Sequence, residues 1–427
     1  MSPLMRVGVI VGILSAVAVG VTWLNRGGDV AQDIVGKAEG ENLPPIPTAD
    51  VPLALDDPET CAACHPAIYD EWKRSHHAFS WLNPEPRRKE LSDDFKNRDC
   101  IPCHAPRPML EVGFGKRALE RGERRETGVD CFTCHKHENA MIGAGKLGPQ
   151  AASAPCNPRT WEPIAEVTFC APCHDQHKVV QSWKKSRFAL EGEQHQDCNS
   201  CHMPVADGPA TLGTVKTSHK SHLFGGGNDP ATVRRAATLR ATFGLPGESR
   251  SAAVKRLSGR DWTGPGGDVP MEAREVLVQV ENTGAGHNFP DDERHRAVDL
   301  VLAFQPEGKL VGPGVQVARF RNPYRHEWEL TNPFKERAGE ILRFEHEWEG
   351  SSVTSRQLRM KPAHNPDRSV PYPESTQLIA GESRFVWIRL PQEGAGRLEI
   401  SLYYKKNPFL TEDQAILANR ESLDVAP

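Results

Sequence analysis

Cysteine and histidine recur in this chain at a spacing that performs one kind of chemistry. Cys61-Ala-Ala-Cys64-His65, Cys100-Ile-Pro-Cys103-His104, Cys131-Phe-Thr-Cys134-His135, Cys170-Ala-Pro-Cys173-His174 and Cys198-Asn-Ser-Cys201-His202 are five copies of Cys-x-x-Cys-His. In this pattern two thioethers fix a porphyrin, and the histidine that follows becomes the proximal ligand of its iron. The spacing predicts five covalently attached haem c groups. The ten cysteines of the motifs are the attachment points, and His65, His104, His135, His174 and His202 are the proximal ligands.

Other uses of cysteine fit less well. Only Cys156 of the eleven cysteines lies outside the motifs, whereas a disulfide framework needs cysteines outside them and belongs to small secreted domains. Zinc knuckles come in pairs about 12–20 residues apart. Here an odd number of knuckles stands about 28 to 39 residues apart, each followed at once by histidine. Thiol exchange has no evident use for five such pairs in one domain. Cys156, in Ala154-Pro155-Cys156-Asn157-Pro158, reads as a free structural thiol.

The sixth position of each iron separates electron transfer from catalysis: a second histidine closes it, and an open position lets a substrate bind. His76, His77, His137, His177, His195, His219 and His222 lie in the same region. His77 follows the first motif in Trp72-Lys73-Arg74-Ser75-His76-His77-Ala78. His222 precedes Leu223-Phe224-Gly225-Gly226, where glycine permits close approach of backbone to porphyrin. His137 and His177 lie too near a proximal histidine to serve the same haem, but can serve a neighbour. His219 and His195 compete for the remaining place. The expected distal set is His77, His137, His177, His219 and His222, and no catalytic side chain is assigned.

One internal repeat bears on these ligands. Trp183-Lys184-Lys185-Ser186-Arg187-Phe188-Ala189, after the fourth motif, matches Trp72 to Ala78 and puts Phe188 where His77 stands. If His77 is a distal iron ligand, the fourth unit has lost the matching one, which would leave a ligand vacancy there. Outside the region, His287 in Asn282-Thr283-Gly284-Ala285-Gly286-His287-Asn288-Phe289-Pro290 reads either as a turn residue or as a ligand reaching an iron from a second domain; the turn role is preferred.

The elements that must position these residues divide the chain. Val7 to Leu24 is uncharged and just long enough to cross a bilayer, with Trp23 and Arg26 suited to an interface. An uncleaved transmembrane anchor over residues 1–25 is preferred to a signal peptide cut near Ala16-Val17-Ala18. Residues 26–57 read as a Gly/Pro-rich tether. Residues 58–229 read as a mainly helical and loop-built multihaem domain, whose buried porphyrins replace the apolar runs that it lacks. Residues 230–270 read as a connector, with helical composition over Pro230 to Leu245, and 411–427 as a tail. Between them, over 271–410, apolar residues alternate: Val276, Val278 and Val280; Val298, Leu300, Leu302 and Phe304; Leu398, Ile400, Leu402 and Tyr404. That period predicts an all-β sandwich. The net charge of −4 and the mixed signs of Arg121 to Arg125 give no nucleic-acid face.

The chain resembles the multihaem cytochromes related to cytochrome c554. The likeness rests on the first motif with Trp72…Ser75-His76-His77-Ala78, and on Cys198-Asn-Ser-Cys201-His202-Met203-Pro204 followed by Ser221-His222-Leu223-Phe224-Gly225-Gly226. The Asn282 to Pro290 stretch looks like a β domain appended in some bacterial members. The resemblance implies electron transfer through closely packed haems. The chain departs from the c554 pattern of four motifs by having five and a second domain. It also has neither the Cys-x-x-Cys-Lys of pentahaem nitrite reductases nor an evident counterpart of the tyrosine-crosslinked haem of hydroxylamine oxidoreductase. Haem of this kind is attached outside the cytoplasmic membrane, so the soluble part is expected in the periplasm. It would there carry electrons between a membrane quinol oxidase module and a periplasmic carrier or reductase. The alternative is an oxidoreductase with one open haem, acting on a small nitrogen or sulfur compound.

Overall fold

A computed structural model describes residues 43–426 apart from 54, 83–99, 176–177, 263, 265, 273, 292–295, 310, 312–313, 323–326, 332–344, 349–356, 361–374, 391–393 and 407–409. The haem-motif region is built from helices of one or two turns. Its helices are α1 (Pro66–Lys73), α2 (Ile101–His104), α3 (Met109–Val112), α4 (Cys131–His135), α5 (Val167–His174), α6 (Val179–Trp183) and α7 (Cys198–His202). Three minimal strands, β1 (Lys136–His137), β2 (Ala140–Gly143) and β3 (Arg159–Thr160), join in one sheet, and β4 (Val205–Asp207) pairs with β5 (Ser218–Lys220). Its apolar core is small: Ala49, Leu110, Ala140, Ile142 and Trp161, with Phe114 and Phe169 against it. So few buried side chains cannot by themselves offset the chain entropy of a region this size. Covalently attached haem would supply the missing apolar bulk.

Helix α8 (Pro230–Ala236) leads to two four-stranded antiparallel sheets. One has the order β11 (Glu345–Trp348), β13 (Ser383–Arg389), β7 (Glu275–Glu281), β6 (Thr238–Phe243). The other runs β15 (Ile416–Val425), β14 (Gly396–Lys405), β8 (Ala297–Pro306), β9 (Val315–Phe320). A separate pair joins β10 (Glu327–Thr331) to β12 (Gln357–Met360). The alternating faces meet in one core, where Val276, Val278 and Val280 pack with Val298, Leu300, Leu302, Leu398, Ile400 and Leu402. Each such side chain stabilises the fold by about 1.5–3 kcal/mol. The opposite face of β7 and β13 is covered as well: Leu277, Phe385 and Trp387 pack on Ala253 and Val254 of α9 (Arg250–Ser258).

Three expectations need correction. Among the described residues no helix is long and apolar enough to cross a membrane, so the fold class they show is a cytochrome-like region joined to β sheets, with no transmembrane helix among them. The stretch 1–25 expected to span lies outside the described residues. The expected tether, 26–57, is docked over its described part: Trp161 Nε1 donates to Pro44 O (3.0 Å), Arg159 Nε to Thr48 O (3.2 Å) and Asn157 Nδ2 to Val51 O (2.9 Å). An extended proline-rich chain keeps its carbonyls free to accept such bonds. The expected connector and tail each supply a strand, because β6 and β15 each form an edge of one of the two sheets. The helical composition of Pro230 to Leu245 holds only to Ala236. From Thr238 the chain pairs with β7, Ala241 standing opposite Val278.

Candidate functional site

Each motif is shaped locally. In the third, Asp130 Oδ1 accepts the Thr133 N–H (2.9 Å) and the Thr133 side chain returns to the Asp130 N–H, a capping box that winds Cys131 to His135 into one turn. Arg121 holds the same carboxylate at 2.7 Å. In the fourth motif α5 ends on His174. Wherever a motif winds into a helical turn, both cysteines and the histidine come to one side of the backbone.

The motifs touch one another. The thiols of Cys61 and Cys131 hydrogen-bond, lowering the pKa of the first and raising that of the second. Cys103 with Cys173, and Cys198 with Cys170, do the same. In the mature protein these thiols stand for thioether sulfurs. The first motif thus abuts the third, the second abuts the fourth, and the fourth abuts the fifth.

Histidine pairs face each other between segments. The rings of His77 and His174 are 6.2 Å apart centroid to centroid, those of His135 and His222 6.2 Å, and those of His202 and His287 6.3 Å. Metal–imidazole bonds are about 2 Å long and a ring centroid lies roughly 1 Å behind its nitrogen, so two imidazoles sharing one iron stand about 6 Å apart. The observed spacings suit that arrangement.

Orientation and charge suit it too. His65 Nδ1 donates to Ala210 O (2.6 Å), His104 Nδ1 to Ser80 O (2.9 Å), His135 Nδ1 to Ile142 O (2.6 Å), and His202 Nδ1 to Gly225 O. On the opposing side His222 Nδ1 donates to Lys220 O and His287 Nδ1 to Asn288 O, both at 2.8 Å. A carbonyl can only accept, so each of these rings carries its proton on Nδ1 and leaves Nε2 for a metal, as iron-ligating histidines require. Desolvation lowers the pKa of His135 and His202, and takes His77 down to about 3 and His222 down to about 4. All four are neutral at pH 7. His77 keeps part of its surface accessible, but its Nδ1 is enclosed without a hydrogen-bond partner among the described residues. Such a donor set fits haem iron. The five motif histidines, with His77, His222 and His287 opposite three of them, would hold it, and the group itself supplies one-electron iron chemistry.

The remaining expected ligands are placed otherwise. His219 donates from Nδ1 to Gly208 O (3.0 Å), while its Nε2 lies 3.2 Å from Glu71 Oε2 but misaligned for a hydrogen bond. Glu71 instead accepts the His222 N–H at 2.7 Å. His137 lies in β1 with Nδ1 enclosed and no ring opposite it among the described residues. His195 stands near Asp197 and edge-on to Trp183. His177 lies outside the described residues. The vacancy expected in the fourth unit is not there, since His77 faces His174.

The turn bearing His77 depends on Gly128. At φ +63° this residue occupies the left-handed region, and a Cβ would fall 2.5 Å from His77 O and 2.7 Å from Ala78 O. Gly128→Ala is expected to destabilise the protein by about 1–3 kcal/mol and to weaken the low-spin absorbance of one haem. A thermal midpoint and a Soret spectrum of the variant check both.

Short motif turns, neutral histidines presented through Nδ1–carbonyl bonds and imidazoles facing at the width of one iron define a multihaem c-type cytochrome carrying covalently bound haem c. The family model described as cytochrome c554 and c-prime matches residues 60–136. Cytochrome c-554 of Nitrosomonas europaea is 27% identical over 121 residues, which is 24% of this chain and 49% of the relative, so the chain spans about half the length of that curated protein. The crystal structure of a penta-heme cytochrome c552 from Thermochromatium tepidum superposes with a TM-score of 0.55 at 15% identity, over 88% of this chain and 100% of the other. At that identity the likeness is one of fold, and it extends over both the haem region and the sheets.

Proposed function

We propose that this chain is a pentahaem electron-transfer protein of the periplasm, passing electrons between a membrane quinol oxidase module, or another donor, and a soluble carrier or reductase. The observation that carries the reading is the contact between motifs. Cys61 against Cys131 joins the first attachment site to the third, Cys103 against Cys173 and Cys170 against Cys198 join the second, fourth and fifth, and Cys134 of the third lies close enough to Cys170 and Cys173 of the fourth to act on them electrostatically. Porphyrins attached this close together would exchange electrons directly, with potentials set by their axial ligands and burial. An intact mass of the mature protein is expected to exceed that of the polypeptide by five haem groups, with stepwise one-electron reduction in a potentiometric titration. A mass showing fewer groups overturns the count. Redox inertness towards every small-molecule mediator overturns the function.

A second reading, an oxidoreductase with one open haem acting on a small nitrogen or sulfur compound, draws on His65. Among the described residues no second imidazole stands opposite it, and its contacts are Ala210 O and Thr211 Oγ1. A high-spin ferric signal in the wild-type protein that shifts with nitrite or hydroxylamine favours this reading.

A further inference from the structure

We propose that the β domain lends the fifth haem its distal iron ligand, His287. The proposal rests on the fifth motif carrying haem, as above. His202 and His287 lie 6.3 Å apart with their rings only 11° from parallel. Both Nδ1 atoms are taken by backbone carbonyls, of Gly225 and Asn288, so both rings have only Nε2 left to offer a metal.

The loop that carries His287 is fixed before any metal binds. Asn282, fully buried, donates from Nδ2 to His287 O (2.8 Å) and to Leu378 O (3.0 Å), and its Oδ1 accepts the Ala285 N–H (3.1 Å). Phe289 pairs through its backbone with Leu378 and stacks on Tyr404 in the sandwich core. The loop is also seated on the haem region. Arg187 Nη2 donates to Thr283 O (3.1 Å), and Asn288 N to Ser182 Oγ (3.4 Å). A Cβ on Gly284 would clash with Arg235 O, and one on Gly286 would press on Phe188 and Trp183 at 3.3 Å. The two glycines permit the close approach that brings His287 to His202.

The internal repeat explains why a second domain is needed. Trp72 Nε1 donates to Val129 O (2.9 Å) and Trp183 Nε1 to Gln196 O (3.0 Å), each carbonyl standing two residues ahead of a motif's first cysteine, Cys131 or Cys198. The first motif is therefore to the third what the fourth is to the fifth, which the Cys61–Cys131 and Cys170–Cys198 contacts repeat. In the first unit His77 reaches onward to His174, and Phe224 packs between His77 and the distal-side His222. In the second unit no sixth motif lies ahead, and the matching position is Phe188. It packs on Gly286, beside His287. His287 thus takes the place of His222, from a different domain. Phe188 marks the end of the haem series rather than an open iron.

The test uses the full-length mature protein. His287→Ala, isolated with its five haems, is expected to turn one haem from low to high spin by electron paramagnetic resonance, with added imidazole restoring the low-spin signal. An unchanged low-spin count overturns the proposal. Where the alanine variant does not accumulate, His287→Met serves: one bis-histidine near-infrared magnetic circular dichroism band should give way to a histidine–methionine band, and an unaltered spectrum again overturns it. A wild-type mass lacking one haem would instead count against the pentahaem reading, which keeps the two failures distinct.

Discussion

Replacing His77 by alanine is expected to convert one haem, that of the fourth motif, from low to high spin. The imidazole stands 6.2 Å from that of His174 across a gap the width of one iron. Removing it leaves the iron with one protein nitrogen, a weaker field and a position that water can enter. The neighbouring His76 is an internal control. It is exposed and partners neither motif histidine, so His76→Ala should leave the spectrum unchanged. Electron paramagnetic resonance of the two variants decides the matter: a high-spin signal from His76→Ala and none from His77→Ala would exchange their roles. The ferric haem opened in His77→Ala should also bind cyanide or imidazole faster than any haem of the parent, because displacement of a protein ligand no longer limits the reaction. The effect extends to neighbours, since Phe224 rests on His77 at 4.2 Å and on His222 at 5.5 Å. Phe224 itself sits at φ 49°, a left-handed conformation for a bulky residue that these ring contacts help to hold.

How much of this was legible in the sequence follows from the range of each interaction. Attachment and proximal ligation are set within five consecutive residues, so spacing alone announces them. The core of the sheets is nearly as plain, because period-two apolar runs such as Val276, Val278 and Val280 must face one side. Distal ligands are different. Which histidine meets which iron depends on how far-apart segments approach, and His137 and His219 stood as candidates in sequence beside the better-favoured His222. His287 was the residue most easily undervalued. Its glycine-flanked loop reads as a turn, and it is one, since Asn282 binds His287 O; the ring is free to do something else. The signal that could have raised it was Phe188, a place in the repeat where histidine had no haem to serve. Strand β6 was hidden for another reason. Its Thr-Leu-Arg-Ala-Thr-Phe sequence has weak alternation, and pairing with β7 overrides it.

Asp299→Ala is expected to destabilise the β domain by about 3–5 kcal/mol, the cost of stripping the partner from a buried charge. Asp299 lies on β8 directly across from Arg319 of β9, whose guanidinium grips the carboxylate at 2.6 and 2.7 Å, while Lys405 Nζ approaches it at 2.8 Å. Asp299 is fully buried and the two cations nearly so. Without the carboxylate, Arg319 keeps Gln316 (3.1 Å) and Lys405 keeps Glu412 (3.3 Å), but the buried acid that binds both cations is gone. A whole domain is stable by only about 5–15 kcal/mol, so the thermal midpoint should fall by many degrees. Acid should act in the same direction. Burial alone would raise the Asp299 pKa, yet Arg319 and Lys405 outweigh it and hold the group below its ordinary value. A carboxylate depressed in this way stabilises the fold above its unfolded pKa of about 3.9, and that contribution is lost as pH falls below it towards the folded value. Because His287 lies on the connection from β7 to β8, unfolding these sheets withdraws it from His202. Loss of far-ultraviolet strand signal and appearance of high-spin absorbance should therefore share one midpoint, lowered in Asp299→Ala. A variant that melts like the parent would show the buried carboxylate to be dispensable, and separate midpoints would show that the fifth haem keeps its ligand without the β domain.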